Sequence, residues 1–206
     1  MTSWARCWQA LDATGDGLAL MHQLIAAYQE PQRHYHTVQH LSECLSLLAG
    51  QIHVAEHPAE VEMALWFHDA VYDVHAKDNE AQSAAWAATT LQAAGVGEEI
   101  IQRIHGLIMV TCHSGQAETV DQQLLVDIDL AILGSEPQRY MTYGAQIRAE
   151  YAWVAEELYR STRLGILKAF AERRPIYSTP ALTELLERQA HRNLDGAIAQ
   201  LVAGSV

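Results

Sequence analysis

The chain has 206 residues, of which half are hydrophobic and 25 are acidic against 13 Lys and Arg, for a formal net charge of −12. That is enough chain for one large domain with a sizeable core. It is too acidic for a broad nucleic-acid surface, which needs clustered Lys and Arg, although a small phosphorylated substrate in a local basic pocket stays compatible.

Helix-period apolar positions run through the whole chain, and no segment alternates with period two between hairpin turns. The expected fold class is therefore all-α, about ten helices in a single domain over 1–206, with no repeat or linker. The opening Met1 to Trp8 has no uninterrupted apolar run and predicts no signal peptide. A helix is expected over 3–12, and a second over 17–29 between Gly15 and Pro31. The third, 35–49, carries His36 and His40 four apart, with Cys44 and Leu48 following on the same side.

The fourth, 58–72, places Val61, Ala64, Leu65 and His68 at i, i+3, i+4 and i+7, so that His68 lies on an inward stripe with Asp69 one step round. Asp78 reads as the N-cap of an Ala-rich helix over 79–94 that Gly95 closes. Helices over 98–112 and 120–133 come next. The latter holds Asp129 on its apolar face and Asp127 nearer the edge. Ser135 and Pro137 start 137–151, then come 155–173 and, after Pro175 and Pro180, an amphipathic 181–203 suited to packing on its own domain or on a partner. Trp66, Trp86 and Trp153 sit at helical positions and read as core.

No stretch approaches the ~18 apolar residues that span a bilayer. Cys7, Cys44 and Cys112 are three, widely spread and without CxxC spacing, which predicts a reduced, cytoplasmic protein without a membrane partner. Nothing in the pattern specifies an oligomeric state.

The chemistry concentrates where carboxylates turn toward apolar surroundings. A buried carboxylate is costly unless a positive group meets it. Neither the His68–Asp69 helix nor the Asp127–Asp129 helix carries a nearby basic residue, so a divalent cation is the expected partner. Imidazole nitrogen and carboxylate oxygen suit zinc, manganese, magnesium or iron. Such a set leaves positions open for water, which an ion acidifies into a nucleophile for phosphoryl or acyl centres.

The segments Arg33-His-Tyr-His-Thr-Val-Gln-His40, Trp66-Phe-His-Asp-Ala-Val-Tyr-Asp73, Asp78-Asn-Glu80 and Asp127-Ile-Asp-Leu-Ala-Ile-Leu-Gly134 succeed one another in an order that resembles the HD superfamily of metal-dependent phosphohydrolases, in particular a bacterial branch of predicted hydrolases. The resemblance runs from about residue 28 to Arg192-Asn-Leu. It implies His40, His68, Asp69 and Asp129 as metal ligands, with Asp127 as the alternative to Asp129 or a partner that orients a ligand. The Tyr-His-x-x-x-His run is similar to that of cyclic nucleotide phosphodiesterases. That likeness implies His36 as general acid and His40 as ligand, or the two exchanged, and Asp69 as the group that orients the nucleophile.

Many members continue His-Asp with x-Gly-Lys; here Ala70-Val71-Tyr72 stands instead, leaving Tyr72, Arg33, Lys77 or Arg148 to meet substrate charge. Asp73, Asn79 and Glu80 are either a capped turn or support for the ligands. His113, in Thr111-Cys112-His113, is a candidate for a second metal. The expected activity is hydrolysis of a small phosphorylated compound such as a nucleotide. The alternatives are a metal- or nucleotide-binding regulatory module, favoured by Tyr72, and a di-iron oxygenase, which needs His113.

Overall fold

A computed structural model of the chain describes residues 3–112 and 116–204, and every regular element among them is helical. The ten α-helices are α1 (Ser3–Ala10), α2 (Leu18–Ala27), α3 (Val38–Gln51), α4 (Pro58–Phe67), α5 (Asn79–Ala93), α6 (Glu98–Met109), α7 (Val120–Asp129), α8 (Pro137–Glu150), α9 (Glu156–Glu172) and α10 (Pro180–Ala203). Where the composition offers no linker, the tertiary contacts nevertheless group into two compact units, 1–128 and 129–206, with the division at the end of α7. None of the helices is long and apolar enough to cross a membrane.

The first unit is built around α4, which packs against α1, α3, α5 and α6. Every residue from Glu60 to Phe67 is buried, so this helix has no solvent face and the expected single inward stripe is absent. Its two buried acids are individually matched. Glu60 accepts both Arg103 hydrogen bonds at 2.7 Å, and Glu62 accepts from the Ser3 hydroxyl. The adjoining α1 buries Trp4 and Trp8, with Trp4 stacked on Trp8 and edge-on to Trp66. Gly17 permits this arrangement: its φ is +64°, and a Cβ there would lie 2.7 Å from the Trp8 ring.

Two boundaries differ from the sequence expectation, and both matter for the site. Thr37 caps α3, its hydroxyl accepting the Gln39 amide at 3.3 Å, so the helix starts at Val38 and His36 lies in the preceding turn rather than on a helical face with His40. Helix α4 stops at Phe67 instead of 72. The Ala70 amide reaches back three residues to the Phe67 carbonyl at 2.9 Å, the Val71 amide donates to Ser83 Oγ, and Arg33 takes the Asp69 and Ala70 carbonyls. With the orphan groups of the helix end satisfied by these partners, nothing favours another α-turn. Asp78 does stand at the N-cap of α5, but its carboxylate accepts from the Gln82 side chain instead of a backbone amide.

In the second unit α10 packs on α9 and on the 3₁₀ turn Leu130–Gly134, and α8 also packs on that turn. Asn193 Nδ2 donates to the carbonyls of Leu133 and Ser135, both at 2.8 Å, and Tyr177 Oη to that of Leu130 at 3.2 Å. Gly134 has no room for a side chain, since a Cβ would lie 2.7 Å from Leu186 Cβ. Trp153, expected in the core, lies between α8 and α9 and is 57% exposed.

Candidate metal centre

Three side-chain atoms converge just beyond α4. His40 Nε2 and His68 Nε2 are 3.1 Å apart, His68 Nε2 lies 3.0 Å from Asp69 Oδ2, and His40 Nε2 lies 3.4 Å from the same oxygen. Donor atoms ~2.1 Å from one ion are ~3.0 Å apart along an octahedral edge and ~3.4 Å along a tetrahedral one, so the spacing fits a single divalent cation. Both imidazoles are buried, while the Asp69 side chain keeps 17% of its surface exposed.

The orientation of this set is dictated from outside it. His68 Nδ1 donates to the Leu65 carbonyl at 2.8 Å, a bond at the end of α4 that turns Nε2 toward His40 and Asp69. Buried Arg33 grips the turn bearing the ligands: its guanidinium donates to the carbonyls of Asp69 at 2.6 Å, Ala70 at 3.0 Å and His36 at 3.2 Å, and its Nε to Glu30 at 3.0 Å. Tyr28 Oη accepts the Asp69 amide at 3.3 Å. Burial raises the Asp69 carboxyl, but the neighbouring His68 and His36 and hydrogen bonds from His40 and His68 outweigh it and hold Asp69 well below the usual carboxylate range.

His40, Cys44 and His68 each offer one ligand atom, all within 4.8 Å of one another, while Asp129 closes α7 and opens the second unit. The buried His40, His68 and Cys44, with Asp69 beside them, can hold a metal ion. Asp127, two residues earlier, is completely buried, whereas Asp129 is half-buried, the reverse of the order expected from the helical stripe. Cys44 is a donor that the sequence reading does not count among the ligands. Its signal is its place four residues after His40, and it packs with its sulfur 3.7 Å from His40 Nδ1.

The remaining residues fall in different places. The half-exposed His36 ring stacks on Tyr72 with centroids 4.1 Å apart, and Arg33 lies over the other aromatic neighbours, 5.3 Å from the Tyr28 ring and 5.4 Å from that of Tyr72. Arg33 is thus occupied in holding the backbone. Lys77 is exposed. Asp73 and Asn79 clasp each other backbone to side chain at 3.0 and 2.9 Å and close the loop after the ligands. Glu80 hydrogen-bonds Cys112. Arg148 belongs to the second unit, where it pairs with Glu156 at 3.0 Å. His113 lies outside the described residues. A cavity of about 690 Å³, bordered by Ala70, Tyr72, Gln23, Gln32 and Trp86, opens beside the turn.

No family model, curated protein or solved structure matches the chain.

Proposed function

We propose that the chain is a metal-dependent phosphohydrolase of the HD type acting on a small phosphorylated compound, with nucleotides the first class to test. The observation that carries this reading is the trio His40 Nε2, His68 Nε2 and Asp69 Oδ2, mutually 3.0–3.4 Å apart and oriented by Leu65 and Arg33. His40, His68 and Asp69 would hold the ion, with Cys44 as a further donor and Asp129 as the fourth ligand that the resemblance implies. A bound divalent ion supplies Lewis acidity toward water and phosphoryl oxygen.

The chain's own residues supply the rest. Asp69, kept ionised by its histidine neighbours, offers a carboxylate that can bind the ion and orient a water molecule. His36 is half-exposed and fixed by stacking on Tyr72, and so can present a ring-nitrogen proton to a leaving oxygen. The 690 Å³ cavity beside Tyr72 has the size of a small-molecule site and takes the organic part of the substrate. The test is elemental analysis and hydrolysis of a nucleotide and phosphoester panel with added Mn²⁺, Mg²⁺, Zn²⁺ or Fe²⁺, on the native protein and on His68→Ala and Asp69→Asn. Turnover that needs the ion and disappears in both variants supports the reading, and turnover indifferent to both variants overturns it.

A regulatory module that binds metal or nucleotide without turnover is the second reading. It is favoured by the commitment of Arg33 to backbone carbonyls, which leaves substrate charge to Tyr72 and the ion. Saturable nucleotide binding with no turnover across the panel selects it.

A further inference from the structure

Inside the second unit, α8, α9 and α10 border a cleft of about 570 Å³, the size of small-molecule sites. Gly144 of α8 and Gly196 of α10 line it, and a Cβ on either would meet nothing within 4 Å. Glycine inside a helix is less stable than alanine. The two positions therefore bear a local cost and leave the space open. The walls are otherwise mostly apolar, from side chains such as Met141, Leu167 and Leu201. Leu167 is the one buried residue of α9, so this helix borders the cleft without filling it.

The polar groups that line the cleft include one cation set among phenols. The guanidinium of Arg163 lies 5.0 Å from the centre of the Tyr143 ring, hydrogen-bonds Tyr143 and has Tyr159 and Tyr140 as neighbours. Of the other two arginines that line the cleft, Arg148 is matched by Glu156, and Arg160 donates to the Leu201 and Gly204 carbonyls. Tyr140 is 7% exposed, and its Oη has no hydrogen-bond partner among the described residues. A buried hydroxyl in that condition is destabilising unless a ligand or water meets it. Burial, then Tyr143, push this phenol up to about 12, so it stays protonated and able to donate at neutral pH.

We propose that this cleft binds a small amphipathic carboxylate, its anionic end meeting Arg163 and Tyr140 Oη and its apolar body filling the space left by Gly144 and Gly196. A neutral chain offers the guanidinium no counter-charge, and an ammonium is repelled by it. The site shares no residue with the metal-ligand group and does not depend on the phosphohydrolase reading.

Isothermal titration of the whole protein with octanoate, octan-1-ol and octylamine tests this, on the native chain, Gly196→Leu and Arg163→Met. The native chain should bind one octanoate and should bind octan-1-ol and octylamine at least about tenfold more weakly. Arg163→Met should remove that preference. Gly196→Leu should abolish binding while keeping or raising Tm, because leucine is the better helix former and enters open space. Three results overturn the proposal: no octanoate binding up to about 10 mM, equal binding of all three compounds, or native-like binding by a folded Gly196→Leu. If Gly196→Leu does not fold, the Arg163→Met preference alone decides, and its persistence overturns the proposal.

Discussion

Helices α4, almost wholly apolar, and α9, with six charged residues, are used in opposite ways. Eight of the ten residues of α4 are buried, two of them glutamates, and it is wrapped by four other helices. Of the seventeen residues of α9 only Leu167 is buried, while Leu158 and Ile166 stay exposed at 60% and 43%. A helix enclosed on all sides cannot shift its last residue without disturbing a packed core. The pair His68–Asp69, next in the chain after α4, is therefore positioned firmly. A helix held by one buried side chain leaves free volume beneath it, and in the second unit that volume is lined by Arg163 and Tyr140. Precision at one end of the chain and open space at the other reflect how much of each helix is covered.

The sharpest test removes the residue that α4 delivers. His68→Ala should abolish stoichiometric metal retention, read by elemental analysis, and lower metal-dependent turnover by at least about a hundredfold. Next comes the core that fixes α4: Phe67→Ala should cost about 3–5 kcal/mol in denaturant unfolding, since the ring is fully buried and its cavity cannot refill. Arg33→Lys should cost about 1–3 kcal/mol and weaken metal affinity about tenfold or more, because a single ammonium nitrogen cannot reproduce the fork that spans Glu30 and the carbonyls of His36, Asp69 and Ala70.

A smaller and pH-dependent effect is expected at Glu62. Burial raises its carboxyl above the ordinary value of 4.5, despite the opposing Ser3 hydrogen bond and Arg6 charge. An acid raised in the folded state contributes stability that is fully present below pH 4.5 and lost as pH rises through the folded value. Glu62→Gln should therefore be more stable than the native chain at neutral pH, and thermal melts should show the difference vanish below pH 4.5. At the foot of the scale, Leu158→Ser on α9 should change stability by no more than about 0.5 kcal/mol. A large loss there would mean that this face is covered in solution and would erase the contrast with α4.

The helices are legible in the sequence because Gly and Pro punctuate them and apolar periodicity fills them; α5, α6 and α8 lie within a few residues of their expected limits. The ends of α3 and α4 depart from expectation for one physical reason. Each is set by partners remote in sequence or by a cap, Thr37 in one case and Arg33 and Ser83 in the other, and periodicity carries no trace of such partners. The pair His68–Asp69 is readable because carboxylate beside imidazole in an apolar run is chemically expensive, and His40 joins it through the resemblance carried by the Tyr-His-x-x-x-His run. The burial order of Asp127 and Asp129 is not readable, since both stand inside α7 and the covered flank, Leu124, Leu125, Asp127 and Ile128, is chosen by the packing around the helix rather than by its apolar period. The role of Arg33 as a clamp is equally hidden: a sequence shows an available cation but not which carbonyls will claim it.

That clamp has a consequence for ion choice. Because Arg33 and Leu65 fix the turn and the imidazole through bonds that involve no ion, the donors would form a socket of set bore for a cation, with little ordering required of them. Discrimination among divalent ions then falls on radius and on the ease of shedding hydration water. Competition among Mg²⁺, Mn²⁺ and Zn²⁺ should accordingly rank them by fit to that bore, with no change in helical content as the socket fills.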